Sequence, residues 1–152
     1  FEGAMVYANK AYNSNPNHPF VLWIYGRILL RYGNLESGIK ILEQLYEREP
    51  IPMSDINTDR MNRELFLAYY LDKDYKKCEE TFNKINECTF REWLINIDIK
   101  IKQNKDYAQD NWFVSGIERF NNLDKEKEIS LFHLNNKFIS NELKNLSQKV
   151  FA

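Results

Sequence analysis

Few residue types can do chemistry, and this chain is sparing with them: two histidines, two cysteines and five glycines in 152 residues. His18 and His133 are far apart, with no H-E-x-x-H and no cysteine-pair spacing that would hold a metal. His18 lies in the turn Asn15-Pro16-Asn17-His18-Pro19, where capping or solvent contact is its expected role. No GxGxxG and no GxxxxGK phosphate loop occurs. The carboxylates are scattered, and no two stand out as an acid and base couple. Cys78 is expected to be a buried structural thiol. The reading is therefore no enzyme, no catalytic residue, no metal, no cofactor and no small-molecule substrate.

Residue types and spacing favour binding instead. Arg27 and Arg31 are four apart and Arg60 and Arg63 three apart, so on helices each pair shares a face. A planar guanidinium grips a carboxylate through two parallel hydrogen bonds. Arginine together with tryptophan and tyrosine is the composition of interaction hot spots. The competing reading makes these arginines a solvated face, paired with Glu64 or Glu92.

The bulk properties set the frame. Hydrophobic content of 43% with 28% charged residues is that of a globular chain, and 152 residues fit one domain. A net charge of −1 gives no general pull toward phosphate, so nucleic acid is not an expected partner. Two cysteines make no disulfide framework, which points to reduced thiols in a cytoplasmic setting. No apolar run approaches the ~20 residues that span a bilayer, so no membrane partner is expected. The chain opens on Phe1 and reads as a segment of something longer.

The elements that must position the arginines all read as helices. Phe1 to Ser14 carries Ala4, Ala8 and Ala11 on one stripe, where a neighbouring helix could approach closely. Pro19 suits the first turn of a helix over Phe20 to Leu30, with Gly26 in its middle. Gly33 should end it at a positive φ, letting Asn34 start a partner over Leu35 to Tyr46. Asn57 or Thr58 caps a helix to about Leu71, and Tyr75 opens its partner. Thr89-Phe90-Arg91-Glu92 matches a capping box, and that helix ends near Gln103. Asp106-Tyr107 hands over to another helix with Trp112, Phe113, Ile117 and Phe120. From Asp124 one long helix follows, apolar at Leu131, Leu134, Phe138, Leu143, Leu146 and Val150.

Pro16 and Pro50 lie 34 positions apart, the length of one family's stacked helix pair. The turns Gly33-Asn34-Leu35, Lys73-Asp74-Tyr75 and Lys105-Asp106-Tyr107 overlay, with small residues at Ala4, Gly38 and Cys78 and large ones at Leu42 and Phe82. This resembles the tetratricopeptide repeat family from about Phe1 to Leu123. The resemblance implies an all-α, right-handed α-solenoid of antiparallel helix pairs. Its parts are a half repeat (1–17), repeats at 18–52 and 57–88, a degenerate repeat (89–123) with Asp110 in the small-residue place, and a capping helix (124–152). It also implies a concave groove lined by Trp23, Arg27 and Leu30, then Arg60, Arg63, Leu67 and Tyr70, then Ile95, Asn96 and Ile99, with Arg31 beside Arg27.

The function expected is a non-catalytic scaffold that binds another protein or peptide in that groove, an acidic segment being one candidate. The alternative is a regulatory or sensor arm of a larger enzyme, an NTPase or protease, encoded outside this segment. A base-reading RNA-binding repeat ranks third, since it would want a continuous basic stripe.

Overall fold

The computed structural model describes residues 2–48, 58–130 and 137–152. Every regular element among them is a helix, as expected. They are α1 (Glu2–Ser14), α2 (Pro19–Tyr32), α3 (Leu35–Tyr46), α4 (Thr58–Leu71), α5 (Tyr75–Phe82), α6 (Phe90–Lys102), α7 (Asn111–Phe120), α8 (Lys125–Ser130) and α9 (Lys137–Val150). No described helix is long and apolar enough to cross a membrane. Phe1, Pro50, Asn57, Leu131 and Leu134 lie outside the described residues, as does the side chain of Phe138. The backbone falls into two compact units, Phe1–Ile85 and Asn86–Ala152.

Local signals set the helix starts. Pro19 occupies the first turn of α2. The Asn34 carboxamide accepts from the Ser37 N–H at 3.0 Å and starts α3. At α6 the Glu92 carboxylate accepts from the Thr89 N–H at 2.8 Å, and the Thr89 hydroxyl accepts from the Glu92 N–H at 3.5 Å. Asp124 accepts from the Lys127 N–H at 3.1 Å at the head of α8.

In the first unit, α2 and α3 approach closely through Gly26 and Gly38. A Cβ on Gly38 would lie 3.0 Å from both the Gly26 carbonyl oxygen and the Leu30 nitrogen. α1 packs on α2 with Tyr12 and Tyr25 stacked at 4.4 Å. Only Ala8 of the alanine stripe is covered, while Ala4 and Ala11 stay exposed. α4 meets α5 through Phe66 and Phe82, whose rings are 5.7 Å apart.

The turns differ from expectation at the glycine. Gly33 sits at φ −129°, not at a positive φ. What holds it small is Leu29, whose Cδ2 and Cα would lie 3.0 and 3.3 Å from a Cβ there. The left-handed turns fall instead on Lys73 (φ 60°) and Asn104 (φ 53°). At Lys73 the Asp74 N–H donates to the Tyr69 carbonyl at 2.9 Å and the Lys73 N–H to that of Tyr70 at 3.1 Å. Asn104 repeats the pattern with Lys105 on Lys100 at 2.9 Å and Asn104 on Ile101 at 3.0 Å. Both are helix ends in which a left-handed residue satisfies the last carbonyls.

In the second unit α6 is buried on nearly all sides, from Phe90 through Ile99. The Trp93 ring stacks on Phe113 at 5.7 Å and meets Phe120 at 5.5 Å and Phe151 at 5.7 Å. Its Nε1–H donates to the Trp112 carbonyl at 3.2 Å. α7 begins at Asn111, four residues later than expected. Asp106 accepts from the Ala108 N–H at 3.2 Å and holds a turn, leaving extended Asp110 in the cap position. The single helix expected from Asp124 is instead two, α8 and α9, which pack together. Lys144 reaches Glu126 at 3.3 Å, whereas in one straight helix the two would stand about 27 Å apart.

Two stability outcomes follow. Gly38→Ala must push apart backbone atoms, so it lowers stability to urea by about 1–3 kcal/mol; an unchanged midpoint would refute the close approach. Lys73→Gly relieves a left-handed side-chain clash and raises stability by about 0.5–1 kcal/mol after the flexibility of an unfolded glycine is counted.

Candidate functional site

Two of the four arginines singled out by spacing, Arg27 and Arg31, converge on one carboxylate. Arg27 and Arg31 project from one face of α2, and Glu64 reaches them from α4. The Arg27 Nε–H donates to Glu64 Oε1 at 2.9 Å. Arg31 Nη2 donates to the same oxygen at 3.2 Å and to Oε2 at 3.4 Å, while its Nη1 donates to the Arg27 carbonyl at 3.3 Å. The two arginine side chains remain 30% and 29% exposed, and Glu64 only 15%. The cluster is thus half-dry, and its Coulomb interactions are stronger than on an open surface.

Trp23 forms the floor. The Arg27 guanidinium carbon stands 5.1 Å from its ring centroid and that of Arg60 5.9 Å, so two cations lie within reach of one indole ring. Arg63 pairs with Asp59 at 2.8 Å on α4, an i,i+4 pair that spacing alone could have given. Of the two acids weighed as partners, Glu64 takes that role, and Glu92 caps α6 instead.

Six of the eleven expected groove residues are not on a surface. Trp23 is 3% exposed, Leu67 9%, Tyr70 4% and Asn96 2%. Ile95 and Ile99 are buried too. Leu65 to Leu71 is apolar in almost every helical direction, and such a helix is covered all round, whereas Trp23 and Asn96 lie on helices that also carry charged residues and are covered by the packing around them. What remains accessible is Arg27, Leu30, Arg31, Arg60 and Arg63, all in the first unit. Asn96 belongs to the second unit, and its buried Oδ1 has no hydrogen-bond partner.

Sequence reasoning missed a second polar constellation in the first unit. A cleft of about 340 Å³ is lined by Glu43, Tyr46, Asn62, Tyr69, Lys77, Thr81 and Lys84 among others. The Tyr69 hydroxyl donates to Glu43 Oε1 at 2.6 Å and Lys77 to the same oxygen at 3.1 Å. Burial alone would raise the Glu43 carboxyl, but the hydrogen bonds from Tyr69 and Lys77, with the Lys77 charge, outweigh it and hold the group below its ordinary value. Burial and the Glu43 contact push the Tyr69 hydroxyl upward. No periodicity links positions 43, 69 and 77, so no sequence pattern could have found them.

Cys78 is fully buried against the Phe66 carbonyl, 3.7 Å from its sulfur, and burial pushes its thiol up to about 12. It is a packing thiol, as expected, and stays protonated. Among the described residues no group of three His, Cys, Asp or Glu side chains could hold a metal.

Tyr69→Phe removes the hydroxyl from Glu43 and should cost about 1 kcal/mol at neutral pH in urea unfolding, the partial exposure of Glu43 keeping it small. Because folding lowers the Glu43 value, that difference is full above the ordinary glutamate range, about 4.3, and shrinks as pH falls below it. A difference that grows on acidification would contradict the assignment.

No protein-family model, no curated protein and no solved structure matches this chain, so its function is argued from its own geometry.

Proposed function

We propose that this chain is a non-catalytic protein-interaction scaffold, in which α2/α3 and α4/α5 are consecutive members of a right-handed solenoid of tetratricopeptide type. It takes an acidic segment of another protein on the arginines of the first unit, with no cofactor. The observation that carries this is the cluster on Trp23: two half-buried guanidinium groups sharing one carboxylate. Arg60 and Arg63 widen the basic surface along α4. A carboxylate arriving there meets two guanidinium groups already gathered on one face of α2, so part of their side-chain freedom is spent before binding. The fork geometry favours carboxylates over isolated point charges. The free thiols Cys78 and Cys88 suit a reducing cytoplasmic setting.

Trp23→Ala is unsuited to testing this, since emptying so buried a site costs about 3–5 kcal/mol of stability. Arg31→Ala is suited, because Glu64 keeps its 2.9 Å bond to Arg27. A labelled peptide of ten glutamates should bind the wild-type chain in a salt-sensitive manner by fluorescence anisotropy. Arg31→Ala should weaken it at least about tenfold, in line with loss of a charge-assisted bidentate contact. Equal binding of a ten-lysine peptide, or indifference to Arg31→Ala, would overturn the proposal. Tighter binding of single-stranded RNA than of the acidic peptide would move the function to nucleic acid.

A further inference from the structure

Glu64 occupies the position an incoming carboxylate would want, and it occupies it incompletely. Its bond to Arg27 has the 2.9 Å length of a strong charge-assisted contact, but those to Arg31 are 3.2 and 3.4 Å. Both arginines lean on one acid, and no hydrogen bond joins Nη1 or Nη2 of Arg27 to any described residue. One carboxylate cannot saturate two guanidinium forks. The result is a strongly held pair, Arg27–Glu64, beside a loosely held Arg31 whose charge is only partly matched.

We propose that Glu64 is an internal competitor, a stand-in for the ligand's carboxylate, that sets how tightly the α2 arginines take an acidic peptide. Binding transfers Arg31, with the outer edge of Arg27, from Glu64 to a glutamate or aspartate of the partner. Glu64 keeps its bond to Arg27 Nε. Its negative charge then opposes the partner's acid across a half-dry site, where like charges repel more strongly than in water. Affinity is lowered, because each acid the partner brings to the cluster meets this repulsion. The inference rests on the reading that an acidic segment docks on Arg27 and Arg31.

Glu64→Gln keeps shape and one acceptor oxygen while deleting the charge. Measured on the full 152-residue chain with the ten-glutamate peptide, it should tighten binding about tenfold, and Arg31→Ala should cancel that gain in the double variant. Circular dichroism checks that the variant is folded. Should Glu64→Gln fail to fold, Glu64→Asp keeps the charge but draws it back by one methylene from Arg31, and should tighten binding about threefold. If the folded variant binds as the wild type does, while Arg31→Ala still loses the peptide, the competitor role is overturned and the docking surface stands. If neither the wild type nor Glu64→Gln binds the peptide, docking and competition fall together. Weaker binding by Glu64→Gln would make Glu64 a positioning group for Arg27, the opposite of a competitor.

Discussion

A helix of a dozen residues is marginal in water, because its first turn fixes several residues for one hydrogen bond, and the described helices here run from 6 to 14 residues. Each exists by leaning on a neighbour, and the closeness of that contact decides how much apolar surface leaves water. The α2–α3 pair shows the limit. With no Cβ on Gly26 or Gly38, the two backbones meet at van der Waals distance, and Leu42 fills the space beside Gly26 with no exposure. Gly116 serves the same end in the second unit, where the Trp93 indole lies against its backbone. In both units large side chains are seated by the absence of a small one.

That packing also dictates where charge can sit. α4 carries Leu65 to Leu71 without a polar interruption, and its charged residues are confined to its first two turns, at Asp59, Arg60, Arg63 and Glu64. The same segment of α4 faces the charged stripe of α2 through the Arg27–Glu64 bond. The cluster is a consequence of helix packing before it is anything else. A lone pair in bulk water would be worth little; wedged between two helices with an indole beneath, it is partly desolvated and geometrically fixed.

The sequence was legible where a single residue acts locally. Pro19, Asn34, the Thr89–Glu92 box and Asp124 start helices where their chemistry says they should. Arg27 and Arg31 share a face as their spacing says, and Glu64 pairs with them as the competing reading of a paired face had it. It was illegible where the outcome depends on what covers a residue. Trp23, Leu67, Tyr70 and Asn96 have hot-spot or groove character by type and register, yet neighbouring helices cover them, and the register of one helix does not say on how many sides it is packed. The turn at Gly33 shows the other failure: glycine suggested a positive φ, while the left-handed residues are Lys73 and Asn104, which tolerate the cost because the surrounding hydrogen bonds fix them there. The reversal between α8 and α9 escaped because apolar spacing alone cannot tell one long helix from two that fold together.

The cluster sets two arginines against one glutamate. Tying α2 to α4 needs one guanidinium on one carboxylate, and Arg27 already supplies that bond at 2.9 Å. Arg31 adds contacts of 3.2 and 3.4 Å to the same acid and a bond to a carbonyl one turn back. Yet it brings a second positive charge into a half-buried place, and the self-repulsion of like charges there costs stability. No second described carboxylate accepts from it, although the chain carries 22 acidic residues. In the proposed scaffold a further carboxylate, supplied by the partner, would complete the count that Glu64 alone leaves short.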